Sequence, residues 1–191
     1  MPTRAIDALL YAVVNDYATI PPSAGALLVA APSIVDPNFS RTVVQLINHD
    51  DSGSLGVVIN RPDKHPDITL TAALGDWLAL SAAPGAVFLG GPVAPDSFLC
   101  LATDGTGVRS VDIANEDPGD VTGPWRVFRG YSGWAPGQLE DELRGAGWYV
   151  VASETGDMFA PEPERLWRDV LSRQTGPVRR FADFPEDPLL N

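Results

Sequence analysis

The chain is poor in the residue types that carry most protein chemistry, with one cysteine and two histidines among 191 residues. A lone Cys100 excludes an internal disulfide and a thiolate metal cluster, and its run Ser97–Leu101 reads as a buried strand with a core thiol. Neither His49 nor His65 has a second ligand at helical spacing, so no metal site is prefigured and no cofactor is expected. No basic start leads into an apolar stretch with a cleavage site, and no apolar run approaches the ~20 residues of a bilayer span. The expectation is therefore a cytoplasmic protein that does not enter a membrane. Basic residues are also scarce: Lys and Arg number 13 against 25 Asp and Glu, a net charge of -12. They are scattered, the densest group being Arg179 and Arg180, so nucleic acid is not an expected partner.

Catalytic and nucleotide signatures are missing as well. The chain has no GxSxG elbow, no GxGxxG and no GxxxxGK[ST]. Gly90-Gly91-Pro92 follows a strand, but Pro92 has no amide to offer an anion. A tight bend bringing two sheet segments together explains the pair better than a phosphate cradle.

What is present fits one domain. Hydrophobic residues make up 45% of the chain, and 18 glycines with 18 prolines rule out an all-helical bundle. A helical extension occupies residues 1–23, a single α+β domain residues 24–173, and a proline-rich tail residues 174–191. Ile6, Leu9, Leu10, Val13 and Val14 give residues 4–16 an apolar helical stripe that must cover its own sheet or a second subunit, making a homo-oligomer one possible assembly. Strands are expected at 25–31, 42–47, 55–59, 87–89, 97–102, 108–112, 125–128 and 148–152, and helices at 69–80, 136–144 and 161–173. Phe181 and Phe184 suggest partial docking of the tail. Strands outnumber helices without regular alternation, which predicts α+β with a curled antiparallel or mixed sheet.

Two stretches carry candidate binding residues. If the 42–59 hairpin turns around Asp51, facing residue numbers sum to about 102. Thr42 then faces Asn60 and Arg41 faces Arg61, near the turn holding Asp36. The two guanidinium groups either pair with carboxylates such as Asp36 or form an anion pocket. His49 belongs to the other end of the hairpin, roughly 20 Å away at strand rise, and is kept as a separate position. The second stretch is Gly130-Tyr131-Ser132-Gly133-Trp134-Ala135-Pro136-Gly137-Gln138. Tyr131, Trp134 and Gln138 make either a ligand-reading surface or a rigid corner in which Gln138 reaches back to loop amides.

In combination and order, Asp36-Pro37-Asn38-Phe39, Arg41–Val44, His49, Gly53–Pro62, Gly90–Val93 and Gly130–Glu140 resemble the YqgE/AlgH family of bacterial proteins, across residues 24–173. The resemblance implies a compact α+β domain with a barrel-like β core flanked by helices. The family is essentially uncharacterised and supplies no catalytic residues, so Asp36, Arg41, His49, Asn60, Arg61, Gly90, Gly91, Tyr131, Trp134 and Gln138 are motif positions only. The favoured reading is a non-enzymatic binding or regulatory protein for a small molecule or protein partner. The alternatives are an enzyme with an unrecognised site and a transcriptional regulator, the latter disfavoured by the net charge.

Overall fold

The computed structural model describes residues 20–65, 74–105 and 107–185. The helix expected at 4–16, the first part of that expected at 69–80 and the end of the tail lie outside these residues. Among the described residues, eight strands and three α-helices follow in chain order: β1 (Leu27–Ala30), β2 (Val43–Asp50), β3 (Gly53–Val58), α1 (Gly75–Leu80), β4 (Val87–Leu89), β5 (Val93–Thr103), β6 (Val108–Val111), β7 (Trp125–Trp134), α2 (Gln138–Arg144), β8 (Trp148–Val151) and α3 (Leu166–Ser172).

The strands form one sheet in the order β6-β5-β7-β3-β2-β1-β8, with β4 added beside β7. Every pairing is antiparallel except the β4–β7 pairing, which is parallel. The end strands β6 and β8 do not pair, so the sheet curls without closing into a true barrel. The hairpin register follows the β-branched runs: Val44↔Val58, Gln45↔Val57 and Leu46↔Gly56 share the expected sum. A bulge at Ile47 then shifts the tip to Asn48↔Leu55, His49↔Ser54 and Asp50↔Gly53.

Two strands run further than their apolar content predicts. β7 does not stop at Phe128 but continues through the glycine-flanked stretch to Trp134, because Gly130 at φ +66 bends the strand without ending it. β5 starts at Val93, which pairs with Tyr131, and its register then shifts before Phe98 meets Arg129. One edge of β7 thus passes from β4, paired at Val127–Arg129, to β3, paired at Ser132–Trp134. At that switch the Gly90-Gly91 backbone lies against β7: a Cβ on Gly90 would stand 2.3 Å from the Gly130 carbonyl oxygen, and one on Gly91 2.4 Å from the Tyr131 carbonyl. The tight-bend reading of this glycine pair is the one realised.

Alternating side chains sort into three buried groups. Leu27, Val29, Val43, Val57, Phe88, Leu101 and Phe128 face inward under Leu166, Trp167, Val170 and Leu171 of α3. The tail joins this core: Val178 and Ala182 are buried and Phe181 stacks on Tyr149 at 5.4 Å, whereas Phe184 stays 39% exposed. Leu28, Val44, Leu46, Val58 and Val150 face outward under Leu139 and Leu143 of α2. Trp77 and Leu78 of α1 cover Val87, Cys100, Trp125 and Val127. No helix among the described residues is long and apolar enough to cross a membrane.

Arg126 falls on the inner face and is fully buried. Its guanidinium lies over Phe88 at 4.0 Å and donates to the carbonyls of Met158 (2.7 Å), Ala83 (2.6 Å) and Ala160 (3.1 Å). Burial pushes its pKa down to about 10. Carbonyl dipoles replace a counter-ion here and tie β7 to two distant segments, at Ala83 and at Met158–Ala160.

Two measurements test this packing. Gly90→Ala is expected to lose about 3 kcal/mol or more in urea unfolding, because backbone on both sides of the contact has to move. Burial pushes the Cys100 thiol up to about 12. At pH 8 the native protein should therefore react with a chromogenic disulfide reagent about 10³-fold more slowly than the unfolded chain, and equal rates would contradict a sealed thiol.

Candidate functional site

At the open end of the hairpin, Asp36, Asn60 and Arg61 converge on the backbone that leads into Arg41. Asp36 starts a tight turn: its side chain accepts from Asn38 N at 2.8 Å and its carbonyl from Phe39 N and Ser40 N. Arg61 closes the turn from outside, Nη1 donating to the carbonyls of Pro37 (2.6 Å) and Asn38 (2.8 Å) and Nη2 to Ser40 (2.9 Å). Burial lowers the Arg61 pKa, and the nearby Asp36 charge opposes that shift. Asn60 is buried and takes the place of a ladder partner: Oδ1 accepts from Val43 N (2.8 Å) and Nδ2 donates to the Arg41 carbonyl (2.9 Å).

Arg41 is thereby held at φ +55, a left-handed conformation that costs an L-residue about 1–2 kcal/mol. Its guanidinium lies 4.4 Å over the Trp167 ring, and Trp167 is itself fixed by donating Nε1–H to the Ala30 carbonyl at 2.8 Å. Arg41 Nη2 donates to the carbonyls of Phe184 (2.6 Å) and Pro185. Nε and Nη1 have no partner among the described residues. Of the two arrangements the sequence left open, carboxylate pairing is not the one adopted: both arginines are held by backbone carbonyls. Arg41, Trp167, Arg168, Ser172, Phe184 and Pro185 line a groove of about 580 Å³, together with Glu164, Asp169 and Asp183. Asp183 pairs with Arg168 at 3.1 Å and Glu164 with Lys64 at 2.7 Å, while Arg165 pairs with Glu162 at 3.0 Å. Arg41 is the groove's one guanidinium without a carboxylate partner among the described residues.

The second stretch folds into a corner around Glu142 on α2. One carboxylate oxygen accepts from Trp134 Nε1 (2.9 Å) and Trp148 Nε1 (2.8 Å), the other from Gln138 Nε2 (2.9 Å). Gln138 Oε1 in turn accepts from Ala135 N at 3.0 Å, the reach-back expected of that position. Trp134 and Trp148 meet edge to face at 6.0 Å, and Phe39 lies edge-on to Trp148 at 5.4 Å. Trp134 is buried, Gln138 exposed and Tyr131 half-buried against the inner core. Gly90 and Gly91 lie at the strand switch, where the Gly90 carbonyl accepts from buried Ser132 Oγ at 3.1 Å.

His49 joins this corner rather than the arginine end. Its Nδ1 is 2.8 Å from Ser54 Oγ and its Nε2 3.7 Å from Glu140 Oε1, and Ser54 pairs with Trp134 across the β3–β7 ladder. No group of three or more His, Cys, Asp or Glu side chains gathers as a metal site among the described residues.

Sequence reading gave Glu142, Trp167 and Arg126 no role at a site. Glu142 lies four residues after Gln138, a helical spacing that pairs these two, whereas Trp148 reaches it from the following strand. Trp167 shows only as one apolar position of a helix, and Arg126 looks like the polar face of an alternating strand.

The AlgH-like family (DUF179) matches residues 27–179. A UPF0301 protein of Streptomyces coelicolor is 45% identical over 185 residues, covering 87% of this chain and 94% of that one. One from Rhodococcus jostii is 40% identical over 181 residues, covering 85% and 88%. Among solved structures, the crystal structure of a Corynebacterium diphtheriae protein superposes with a TM-score of 0.74 at 27% identity, covering 86% of this chain and 93% of that one. The solution structure of the AlgH protein from Pseudomonas aeruginosa gives a TM-score of 0.57 at 28% identity, covering 80% and 94%.

Replacing Glu142 by Gln tests the corner. The amide leaves one of the three donors facing another donor, so an unfolding free-energy loss of about 1–3 kcal/mol with red-shifted tryptophan emission is expected. Parent-like stability and emission would show that the node does not hold the corner.

Proposed function

Within the AlgH-like family, to which this chain belongs, we propose that it acts as a non-enzymatic binding protein whose ligand presents an anionic group to Arg41. The observation that carries this reading is a guanidinium held at a strained backbone position, stacked on a fixed indole, with one edge unengaged by the described residues beside an open groove. A planar fork in that state suits a carboxylate or phosphate, and little side-chain entropy remains to be lost on binding. The groove is within the size range of small-molecule sites.

Asp36, Asn60 and Arg61 are positioning residues on this reading, since each holds the backbone that aims Arg41 rather than offering its own polar atoms. Tyr131, Trp134 and Gln138, with His49 and the Gly90-Gly91 pair, form the frame. Any regulatory role follows from ligand capture rather than DNA contact, because a charge of -12 opposes a phosphate backbone.

Calorimetric titration with inorganic phosphate and with succinate tests the assignment. Arg41→Met is expected to weaken binding of whichever anion the parent takes by about 10- to 100-fold, the worth of charge-assisted hydrogen bonds. Arg41→Lys should restore only part of the affinity. Equal affinity in the parent and Arg41→Met, or no uptake of either anion by the parent, would remove Arg41 as the seat.

A further inference from the structure

The two ends of the curled sheet leave a gap. Thr103, Gly105, Gly107 and Val108 form one side, and the segment following β8 the other. Between them, with β2 as floor, runs a cleft of about 520 Å³. It lies apart from the Arg41 groove and shares no lining residue with it.

Apolar side chains form part of its wall, beside Thr103, Ser153 and Thr155. Ile47 and Phe159 are half-buried, Val108 is 39% exposed, and Met158 closes the space from behind. Such a surface favours a ligand that brings its own apolar area out of water, at about 25 cal/mol per Å².

One buried polar side chain serves this space. Gln45, only 3% exposed, donates one Nε2–H to the Gly25 carbonyl at 2.7 Å, and its Oε1 accepts from Ser153 Oγ at 3.3 Å. The second Nε2–H has no acceptor among the described residues. A primary amide carries two donors, so this lining residue keeps one N–H for an acceptor that a ligand could bring.

One guanidinium serves two carboxylates at the rim, which keeps a net negative charge. Glu154 lies on the lining but pairs with Arg173 at 3.3 Å, and the same guanidinium takes Asp157 at 2.5 Å. An anionic ligand would meet that negative charge and find no cation among the described lining residues, whereas a neutral one pays no charge-desolvation cost on entering.

We infer that this cleft is a second binding site, for an uncharged, largely apolar molecule carrying a carbonyl oxygen that accepts the free Gln45 N–H. The apolar body lies along Ile47, Val108, Met158 and Phe159, and the carbonyl sets its orientation. Discrimination comes from the amide, because an analogue without an acceptor leaves a buried donor unmatched.

Nile red, an uncharged fused aromatic with a ring carbonyl, is the probe, titrated into the full chain and followed by emission. Saturable, blue-shifted binding is expected, weakened at least tenfold by Val108→Trp, which fills the cleft from an exposed position. Gln45→Leu, which keeps the bulk and removes the donor, is expected to weaken it about fivefold. Arg41→Met should bind like the parent, separating this cleft from the anion groove. A parent that does not saturate overturns the proposal, as does parent-like affinity in either cleft variant or loss of the probe in Arg41→Met.

Discussion

The architecture hangs on one backbone crossing. Gly90 and Gly91 pass so close to Gly130 and Tyr131 that a single Cβ would collide with peptide atoms at 2.3–2.4 Å. Because of that contact β7 can serve two sets of neighbours: β5 and β4 along its first half, β3 along its second. The crossing bends the sheet into a curl that leaves β6 and β8 apart, with an inner face for α3 and outer faces for α1 and α2. Side chains at the crossing would force the two halves apart.

Around that frame, polar side chains repeatedly stand in for backbone partners. Asn60 supplies both an acceptor and a donor where the β2–β3 ladder runs out. Arg61 gathers three turn carbonyls, and Arg126 three carbonyls from two separate segments. Glu142 collects two indoles and an amide. Each replaces several weak constraints by one multidentate group, which is how a chain rich in glycine and proline keeps irregular segments in register. The same device accounts for Arg41: three neighbours hold its backbone in a conformation that the residue alone would avoid.

Much of the β scaffold was legible. The hairpin register followed from two β-branched runs and a turn of Asp, Ser and Gly, since pairing number and side-chain alternation are local. The bulge at Ile47 was not, because it answers to the tip's fit against Trp134 and Glu140. The span of β7 was misjudged for a related reason: glycines read as a break, yet Gly130 bends a strand whose partners on both edges keep it extended. Of the candidate residues, Asp36, Arg41, Asn60 and Arg61 came together as pairing arithmetic indicated. His49 lay apart from the arginines, as the hairpin length indicated, but its place beside the corner came only from the fold.

What the amino-acid order determined by itself was the set of elements, the hairpin pairing and the residues gathered at its open end, all consequences of periodicity and turn chemistry within a few tens of residues. Tertiary structure alone decided that Arg126 is buried, that Arg41 meets Trp167 from the other end of the chain, and that the sheet ends stay apart. Those outcomes depend on which surfaces meet across the curl, and a strand carries the same alternation whether its polar face meets water or a ring of carbonyls.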